Sequence, residues 1–271
     1  MFFSRRDCCV DASDGGAWVA EHGDGVIVEM IDVTPAFYAL TSETMADNAR
    51  NEWIQGFNKA IAAVPDFTLN DAAMLLGQCH RESGGFTDVV ENLDYSDPVR
   101  LQRIYWGQFK TVDAAKGYLH QPEALANKVY AHRLGNRDLG DGWRYIGRGP
   151  LQITGRDEYE ALFHALGMPP NTDPNWLVTP FGGAHGAVWF WGWKPGLRSA
   201  ARRLDHHLAT LLVTGAEDAT EVSLRSHAAN TALAALVARD KPPVSMVQGN
   251  TPKPAVTADD LNTKELTQLG A

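Results

Sequence analysis

The 271-residue sequence lacks any run of apolar residues long enough to cross a membrane. A membrane-spanning helix needs roughly 20 such residues. The first 16 residues contain two arginines, but no apolar stretch follows them as it would in a secretory signal. We therefore expect neither a leader nor a membrane anchor in this sequence.

The sequence is also short of positive charge. It contains 24 lysines and arginines against 33 aspartates and glutamates, a formal net charge of −9. Phosphate backbones are bound by basic surfaces, so the balance argues against nucleic acid as the main partner. A local basic face around Arg100, Arg103 and Lys110 remains open.

Cysteine is scarce, with three residues at Cys8, Cys9 and Cys79. An odd number with two adjacent members does not suggest a disulfide framework. Cys79 follows an apolar run and is expected to be a small buried side chain. Cys8 and Cys9 with His22 match no zinc-binding spacing, so neither a metal site nor a cofactor is predicted.

The composition divides the chain into three zones. Residues 1–36 are rich in Gly and Asp and are predicted to be an N-terminal extension. The apolar run at 25–31 is compatible with a short hairpin there. Residues 37–240 carry helical periodicity and are predicted to form the main domain. Residues 241–271 are rich in Pro and Thr and are predicted to be a tail.

The main domain is predicted to be mainly α-helical. An amphipathic stretch follows a capping segment at 41–44 and ends at Pro65. Asn70 is predicted to cap a second helix that begins at Asp71 and ends near Glu82, before a Ser-Gly-Gly turn. Further helices are predicted at 112–119, 121–133, 156–166, 179–191, 198–212 and 221–238.

A pair of carboxylates follows the second predicted helix. Glu82 stands at its C-terminal end, and Glu91 lies nine positions further on a polar loop. The negative end of a helix and an apolar wall both disfavour ionisation, which would suit Glu82 to donate a proton. Glu91, in polar surroundings, would stay ionised, and glycoside hydrolysis needs such a pair. On spacing alone, two solvated surface glutamates are the favoured explanation of the pattern.

A second informative segment covers residues 130–156. It contains YAHRLGN and, after a short gap, GDGWRYIGRGPLQITGR, in which the glycines permit turns and close backbone approach. Gln152 and Thr154 alternate with Leu151 and Ile153. If the segment is extended, both polar side chains face one cleft and could bind sugar hydroxyls or a water.

Together with HRESGGF and ENLDYS, these motifs resemble glycoside hydrolase family 19, which contains chitinases and many bacteriophage endolysins. The short phage type is the nearer match, and the resemblance covers about residues 40–238. It implies a mainly α, two-lobed lysozyme-like fold with a substrate cleft between the lobes. It also implies hydrolysis with inversion.

The resemblance assigns roles to individual residues. Glu82 would be the general acid, Glu91 the general base, and Thr154 would hold the nucleophilic water. The predicted substrate-binding residues are Tyr95, Arg148, Gln152, Thr214 and Arg225.

Two positions depart from the family pattern. Thr214, in Val-Thr-Gly-Ala, replaces a sugar-binding Asn of an Asn-Gly-Gly segment, and Arg225 is taken as the Arg that follows it. Asp94 stands where Asn is usual in ENLDYS. Both departures concern substrate affinity and leave the two glutamates in place.

The leading prediction is a peptidoglycan-degrading glycosidase that cuts β-1,4 bonds between amino sugars. It would work as an endolysin made in the host cytoplasm and given access to the wall by a holin, or as a virion-associated lysozyme. The alternatives are a chitinase and a virion or tail component with weak or no activity. Expected partners are glycan strands and, through the two extensions, other virion proteins.

Overall fold

The computed structural model describes residues 19–21, 27–41 and 45–239. Cys8, Cys9, His22 and the predicted tail at 241–271 lie outside the described residues. Two short strands, β1 (Val19–Glu21) and β2 (Ile27–Glu29), pair antiparallel with Ala20 opposite Val28. They lie in the N-terminal extension, whose sequence is compatible with a short hairpin.

Beyond these strands the described chain is helical, as the sequence predicts. The helices are α1 (Thr34–Leu40), α2 (Asp47–Ala62), α3 (Leu69–Glu82), α4 (Pro98–Ile104), α5 (Val112–Lys116), α6 (Pro122–Val129), α7 (Asp141–Arg144), α8 (Arg156–Ala165), α9 (Pro180–Trp193), α10 (Leu197–Arg202), α11 (His206–Thr214) and α12 (Ala219–Arg239), with a 3-10 helix at Pro174–Val178. No helix within the described ranges is both long and apolar enough to cross a membrane.

The largest hydrophobic core defines a large lobe built from α1–α3 and α9–α12. Helix α3 runs through this core against α12. The two backbones approach closely at Gly77, where a Cβ atom would lie 2.7 Å from the backbone nitrogen of Ala229. A larger residue would push the helices apart, so Gly77 fixes the position of α3 and of the residues at its end.

A second hydrophobic cluster defines a small lobe built around α4–α7. Its buried members are Leu93, Leu101, Phe109, Ala115, Leu125, Ala126, Val129 and Ile146. A third cluster is formed in part by residues of α8 and the 3-10 helix, including Tyr159 and Leu177. The chain passes from the large lobe to the small lobe between the end of α3 and Leu93, which is the segment that contains the predicted site.

The start of α3 differs from the prediction. Thr68, rather than Asn70, is the N-cap, and it forms a capping box with Asp71. Asp71 is fully buried and also accepts hydrogen bonds from the indole of Trp191 (3.2 Å) and the guanidinium of Arg198 (3.4 Å). A capping box satisfies two of the free amides at a helix start, and the added partners tie α3 to α9 and α10.

Four predicted helices are shorter or divided. The helices predicted at 112–119 and 121–133 end early, as α5 and α6. The stretch predicted from residue 41 becomes α2, which begins at Asp47, and residues 42–44 lie outside the described ranges. The helix predicted at 198–212 is two helices, α10 and α11. The chain breaks at Leu204, whose φ of +54° is incompatible with a right-handed helix.

Candidate active site

Glu82 is the last residue of α3, and a tight turn follows it at once. Gly84, Gly85 and Phe86 all have left-handed backbone, with φ of 54°, 76° and 68°. The hydroxyl of Ser83 closes the turn by donating to the carbonyl of Cys79 (2.6 Å) and accepting from the amide of Phe86 (2.9 Å). The ring of Phe86 packs among the aromatic side chains of the large lobe. This anchor fixes where the helix stops and where the Glu82 carboxylate stands.

The carboxylate of Glu82 forms an ion pair with a guanidinium from α12. Arg225 is 4% exposed, and its Nη2 lies 2.7 Å from Oε1 of Glu82. Arg225 also donates to the side chain of Gln78 (2.8 Å) and lies 3.4 Å from Glu221. Because three protein side chains contact this guanidinium, Arg225 is placed to hold Glu82, and its contact with a sugar stays a prediction.

Glu91 lies on the other side, in a small backbone ladder. Its amide donates to the carbonyl of Gly147 (2.9 Å), and the amide of Gly149 donates to the carbonyl of Val89 (2.9 Å). Both oxygens of its carboxylate accept hydrogen bonds. Oε2 accepts from the amide of Gly147 (3.1 Å), and Oε1 accepts from the hydroxyl of Tyr130 (2.6 Å). The Glu91 side chain is therefore held by neutral donors.

Gln152 and Thr154 converge on the same place. A Cβ atom on Gly147 would lie 2.7 Å from Oε1 of Gln152, 3.2 Å from Oγ1 of Thr154 and 3.4 Å from Cβ of Glu91. Gln152 has a left-handed φ of 53°, and the hydroxyl of Thr154 donates to its carbonyl (2.7 Å). The segment is thus a turn rather than the extended strand that the alternation predicted, yet the turn still brings both polar side chains beside Glu91.

The two carboxylates open into one cleft of about 390 Å³. It is lined by Glu82, Asp88, Val90, Glu91, Asn92 and Gln152. Glu82 comes from the large lobe, and Glu91 is fastened to the small lobe by Tyr130. A carboxylate pair that faces a common space can donate a proton on one side and accept one on the other. In the part of the chain that the structure describes, no cluster of three or more His, Cys, Asp or Glu could hold a metal ion.

Arg148, predicted to contact substrate, is surrounded by protein groups, and its contact with substrate stays a prediction. The residue is 6% exposed, and its guanidinium donates to Asn175 (3.1 Å) and the carbonyl of Arg144 (2.8 Å), as well as to Tyr159 (3.2 Å). All of these partners belong to the protein. Arg148 supports the loop behind Glu91, and its backbone bridges Val90 and Ile153.

Three further residues lie outside the cleft lining. The hydroxyl of Thr214 lies at the end of α11, where it donates to the carbonyls of Thr210 and Ala216 (3.0 Å each). Tyr95 is half-buried in the small lobe, with its ring 6.0 Å from that of Tyr105. Asp94 is exposed and pairs with Nδ1 of His120 at 3.0 Å.

Sequence reasoning missed three residues that support the glutamates: Tyr130 directly, and Gln78 and Glu221 through Arg225. Tyr130 stands inside the motif YAHRLGN, so that motif did contain a signal. What the linear pattern could not provide is the partner, because Tyr130 is 39 positions from Glu91 and Gln78 is 147 from Arg225.

No protein-family model matches this chain. A curated relative, a glycosyl hydrolase family 19 domain-containing protein from Haemophilus influenzae, is 44% identical over 124 residues. The match covers 44% of this chain and 60% of the relative, so it spans less than two thirds of that protein. Among solved structures, chitinase C from Streptomyces griseus HUT6037 superposes with a TM-score of 0.51 at 14% identity, over 81% of each chain.

The comparisons confirm the resemblance to glycoside hydrolase family 19. The similarity to chitinase C concerns the fold, and it agrees with the mainly helical, lysozyme-like architecture of two lobes and a cleft. In this fold, the two glutamates of the motifs line one cavity.

Proposed function

We propose that this chain is a glycoside hydrolase that cuts β-1,4 bonds between amino sugars with inversion at the anomeric carbon. The observation that carries the proposal is the placement of Glu82 and Glu91, from different lobes, in the lining of one cleft of about 390 Å³. Similarity in sequence and in fold to family 19 proteins, described above, supports the same class of reaction.

In the proposed mechanism, Glu82 donates its proton to the glycosidic oxygen as the bond to the anomeric carbon breaks. Glu91 removes a proton from a water, and the water oxygen forms the new bond on the opposite face of the sugar. The hydroxyl of Thr154 and the side-chain oxygen of Gln152 lie beside Glu91, around Gly147, where they would orient that water. Arg225 would keep Glu82 in place between turnovers.

We further propose peptidoglycan as the substrate, with access as in phage endolysins. The surface of the small lobe supports an anionic polymer. Residues 98–110 contain Arg100, Arg103 and Lys110 but no Asp or Glu, and all three cations are exposed. Peptidoglycan strands carry carboxylates that such a face attracts, whereas chitin is uncharged.

Chitin is the second candidate. The observation that favours it is the similarity in fold to a protein named chitinase C. The two substrates share the β-1,4 linkage between amino sugars, so the same pair of glutamates would serve both. They differ in charge and in the peptide that peptidoglycan carries.

The test compares the wild-type protein with Glu82→Gln on purified peptidoglycan and on chitin oligomers. Replacing the acid should reduce the rate by roughly 100-fold to 10,000-fold. The matched control is Glu52→Gln, an exposed glutamate on α2, which should leave the rate unchanged. Equal rates for wild type and Glu82→Gln would overturn the proposed mechanism.

The same protein preparations are used to test which substrate is cut and with which stereochemistry. Clearance of peptidoglycan without cleavage of chitin would support the first candidate, and the reverse result would support the second. Proton NMR of the first product formed should show the α-anomer, because inversion of a β-linkage produces it. An initial β-anomer would contradict the assignment of Glu91 as a base.

A further inference from the structure

The hydroxyl of Tyr130 is the side-chain donor to Glu91, and no role in hydrolysis has been assigned to it above. We propose that Tyr130 is a positioning residue, which holds the carboxylate of Glu91 in the orientation needed to accept a proton from water. The inference rests on the proposed function, in which Glu91 is the base.

The geometry around Glu91 constrains both carboxylate oxygens. The Tyr130 hydroxyl lies 2.6 Å from Oε1, and the amide of Gly147 lies 3.1 Å from Oε2. A separation of 2.5–2.7 Å is typical of a hydroxyl that donates to an ionised carboxylate. Two donors on two oxygens fix the plane of the carboxylate. Glu91 also lines the cleft, so a remaining lone pair is left for a water there.

Tyr130 is itself held firmly at the end of α6. Its amide donates to the carbonyl of Ala126 (3.0 Å), and its carbonyl accepts from the side chain of Asn136 (3.0 Å). Burial, followed by the hydrogen bond to Glu91, raises the pKa of Tyr130 well above its ordinary value. The hydroxyl therefore keeps its proton and acts as a donor to Glu91.

A cluster of three tyrosines surrounds this contact: Tyr95, Tyr105 and Tyr130. The hydroxyl of Tyr105 interacts with both of the others, and burial raises the pKa of Tyr105 above its ordinary value. Tyr95, the predicted sugar contact, packs edge-on against the Tyr105 ring. The cluster thus links a residue predicted to bind sugar to the residue predicted to activate water.

The first experiment measures Glu91 directly and does not depend on catalysis. The ¹³C NMR signal of the Glu91 carboxyl carbon is compared at neutral pH between wild type and Tyr130→Phe, with Glu91→Gln to assign the signal. The groups that interact with Glu91 or share its cleft are Glu82, Asp88, Tyr105, Tyr130 and Tyr159. Of these, only Tyr130 changes.

The carboxylate carbon reports on the hydrogen bonds that its oxygens accept, so removing the Tyr130 hydroxyl should shift the Glu91 signal. Tyr118→Phe is the matched control and should leave the signal in place, because Tyr118 lies in the same small lobe and packs on Phe109 (ring centroids 5.0 Å apart). An unchanged Glu91 signal in Tyr130→Phe would overturn the inference, whatever happens to its activity.

The second experiment measures kcat and KM on the substrate identified above. Tyr130→Phe should lower kcat by roughly 10-fold to 100-fold with little change in KM, because the base is misdirected while the sugar still binds. Tyr118→Phe should match wild type. If Tyr130→Phe matched Tyr118→Phe in kcat, the positioning role would be wrong. If wild type showed no hydrolysis but the Glu91 signal still shifted in Tyr130→Phe, the proposed function would be refuted. The hydrogen-bond role of Tyr130 would remain supported.

Discussion

Glu82 and Glu91 face the same cleft, but the large lobe and the small lobe hold them with different chemistry. Glu82 is held by the cation Arg225, which also contacts Glu221 and Gln78. Glu91 is held by a tyrosine hydroxyl and a backbone amide, both neutral. One carboxylate therefore belongs to a charge network, and the other to a set of ordinary hydrogen bonds.

This difference changes what each lobe loses when a partner is removed. Without Arg225, Glu82 would lose its ion pair, and Glu221 would keep only Arg81. Without one neutral donor, Glu91 would keep the other and gain no repulsion. We therefore expect mutations on the Glu82 side to reduce stability strongly, and mutations on the Glu91 side to affect mainly orientation and rate.

The largest expected effect is that of Arg225→Met. Removing this buried guanidinium leaves Glu82 and the side chain of Gln78 without their donor, so the free energy of unfolding should fall by about 3 kcal/mol. Urea denaturation measures the loss. The control is Arg81→Met, because Arg81 also pairs with Glu221 (2.7 Å) but is 45% exposed. That change should cost less than about 1 kcal/mol. Equal losses in the two variants would show that the buried Arg225 stabilises the protein no more than the exposed Arg81 does.

An intermediate effect is expected for Gly147→Ala on the Glu91 side. The added methyl group would lie 2.7 Å from the Gln152 side-chain oxygen and would displace it from its place beside Glu91. The rate should fall by about 10-fold or more. The free energy of unfolding should fall by roughly 1–3 kcal/mol.

The control for this change is Gly107→Ala, also in the small lobe, where no heavy atom lies within 4 Å of the added carbon. It should preserve both rate and stability. If Gly147→Ala were as active as Gly107→Ala, the convergence of Gln152 and Thr154 on Gly147 would have no bearing on catalysis.

The smallest expected effect concerns pH and Glu221. The hydrogen bond from Arg81, opposed by partial burial, lowers the pKa of Glu221 below its ordinary value of 4.5. The stability from this pair is therefore complete above pH 4.5, and it is lost as the pH falls through the lowered folded-state pKa. Glu221→Gln should lower stability by at most about 1 kcal/mol near neutral pH and by nothing in strong acid.

Unfolding by urea at several pH values checks this expectation. Asp113→Asn serves as the control, because Asp113 pairs with Lys116 (2.6 Å) on the small lobe, away from the Glu82 network. Asp113→Asn should not change the part of the pH dependence of stability that comes from Glu221. A Glu221→Gln variant that lost as much stability as wild type when the pH fell below 4.5 would contradict the assignment.

The sequence predicted α3 and its end well, because both depend on local signals. The apolar run and the Ser-Gly-Gly turn are contiguous, and they place Glu82 at the last turn of the helix. The cap was assigned two residues too late, since Thr68 and Asp71 form a reciprocal pair that outweighs Asn70. Short helices such as α4 were missed. The Asp97-Pro98 start is visible in the sequence, but seven residues carry too little periodicity to read.

The partners of the two glutamates could not be predicted from the sequence. Arg225 was expected at the sugar because the family pattern places an Arg after a loop, and the pattern contains no information about burial. The break at Leu204 was missed for a related reason: a left-handed residue without glycine leaves no mark in the sequence. In both cases tertiary packing decides, through residues that are distant along the chain.

Because α3 packs against α12, Glu82 and Glu91 acquire their partners at different stages of synthesis. Glu91, Tyr130 and Gly147 leave the ribosome within a span of 57 positions, so Glu91 and its donors can assemble early. Glu82 must wait for Arg225, which emerges 143 positions later, in the last described helix. A nascent chain, or one cut short before α12, would therefore carry Glu82 without its cation.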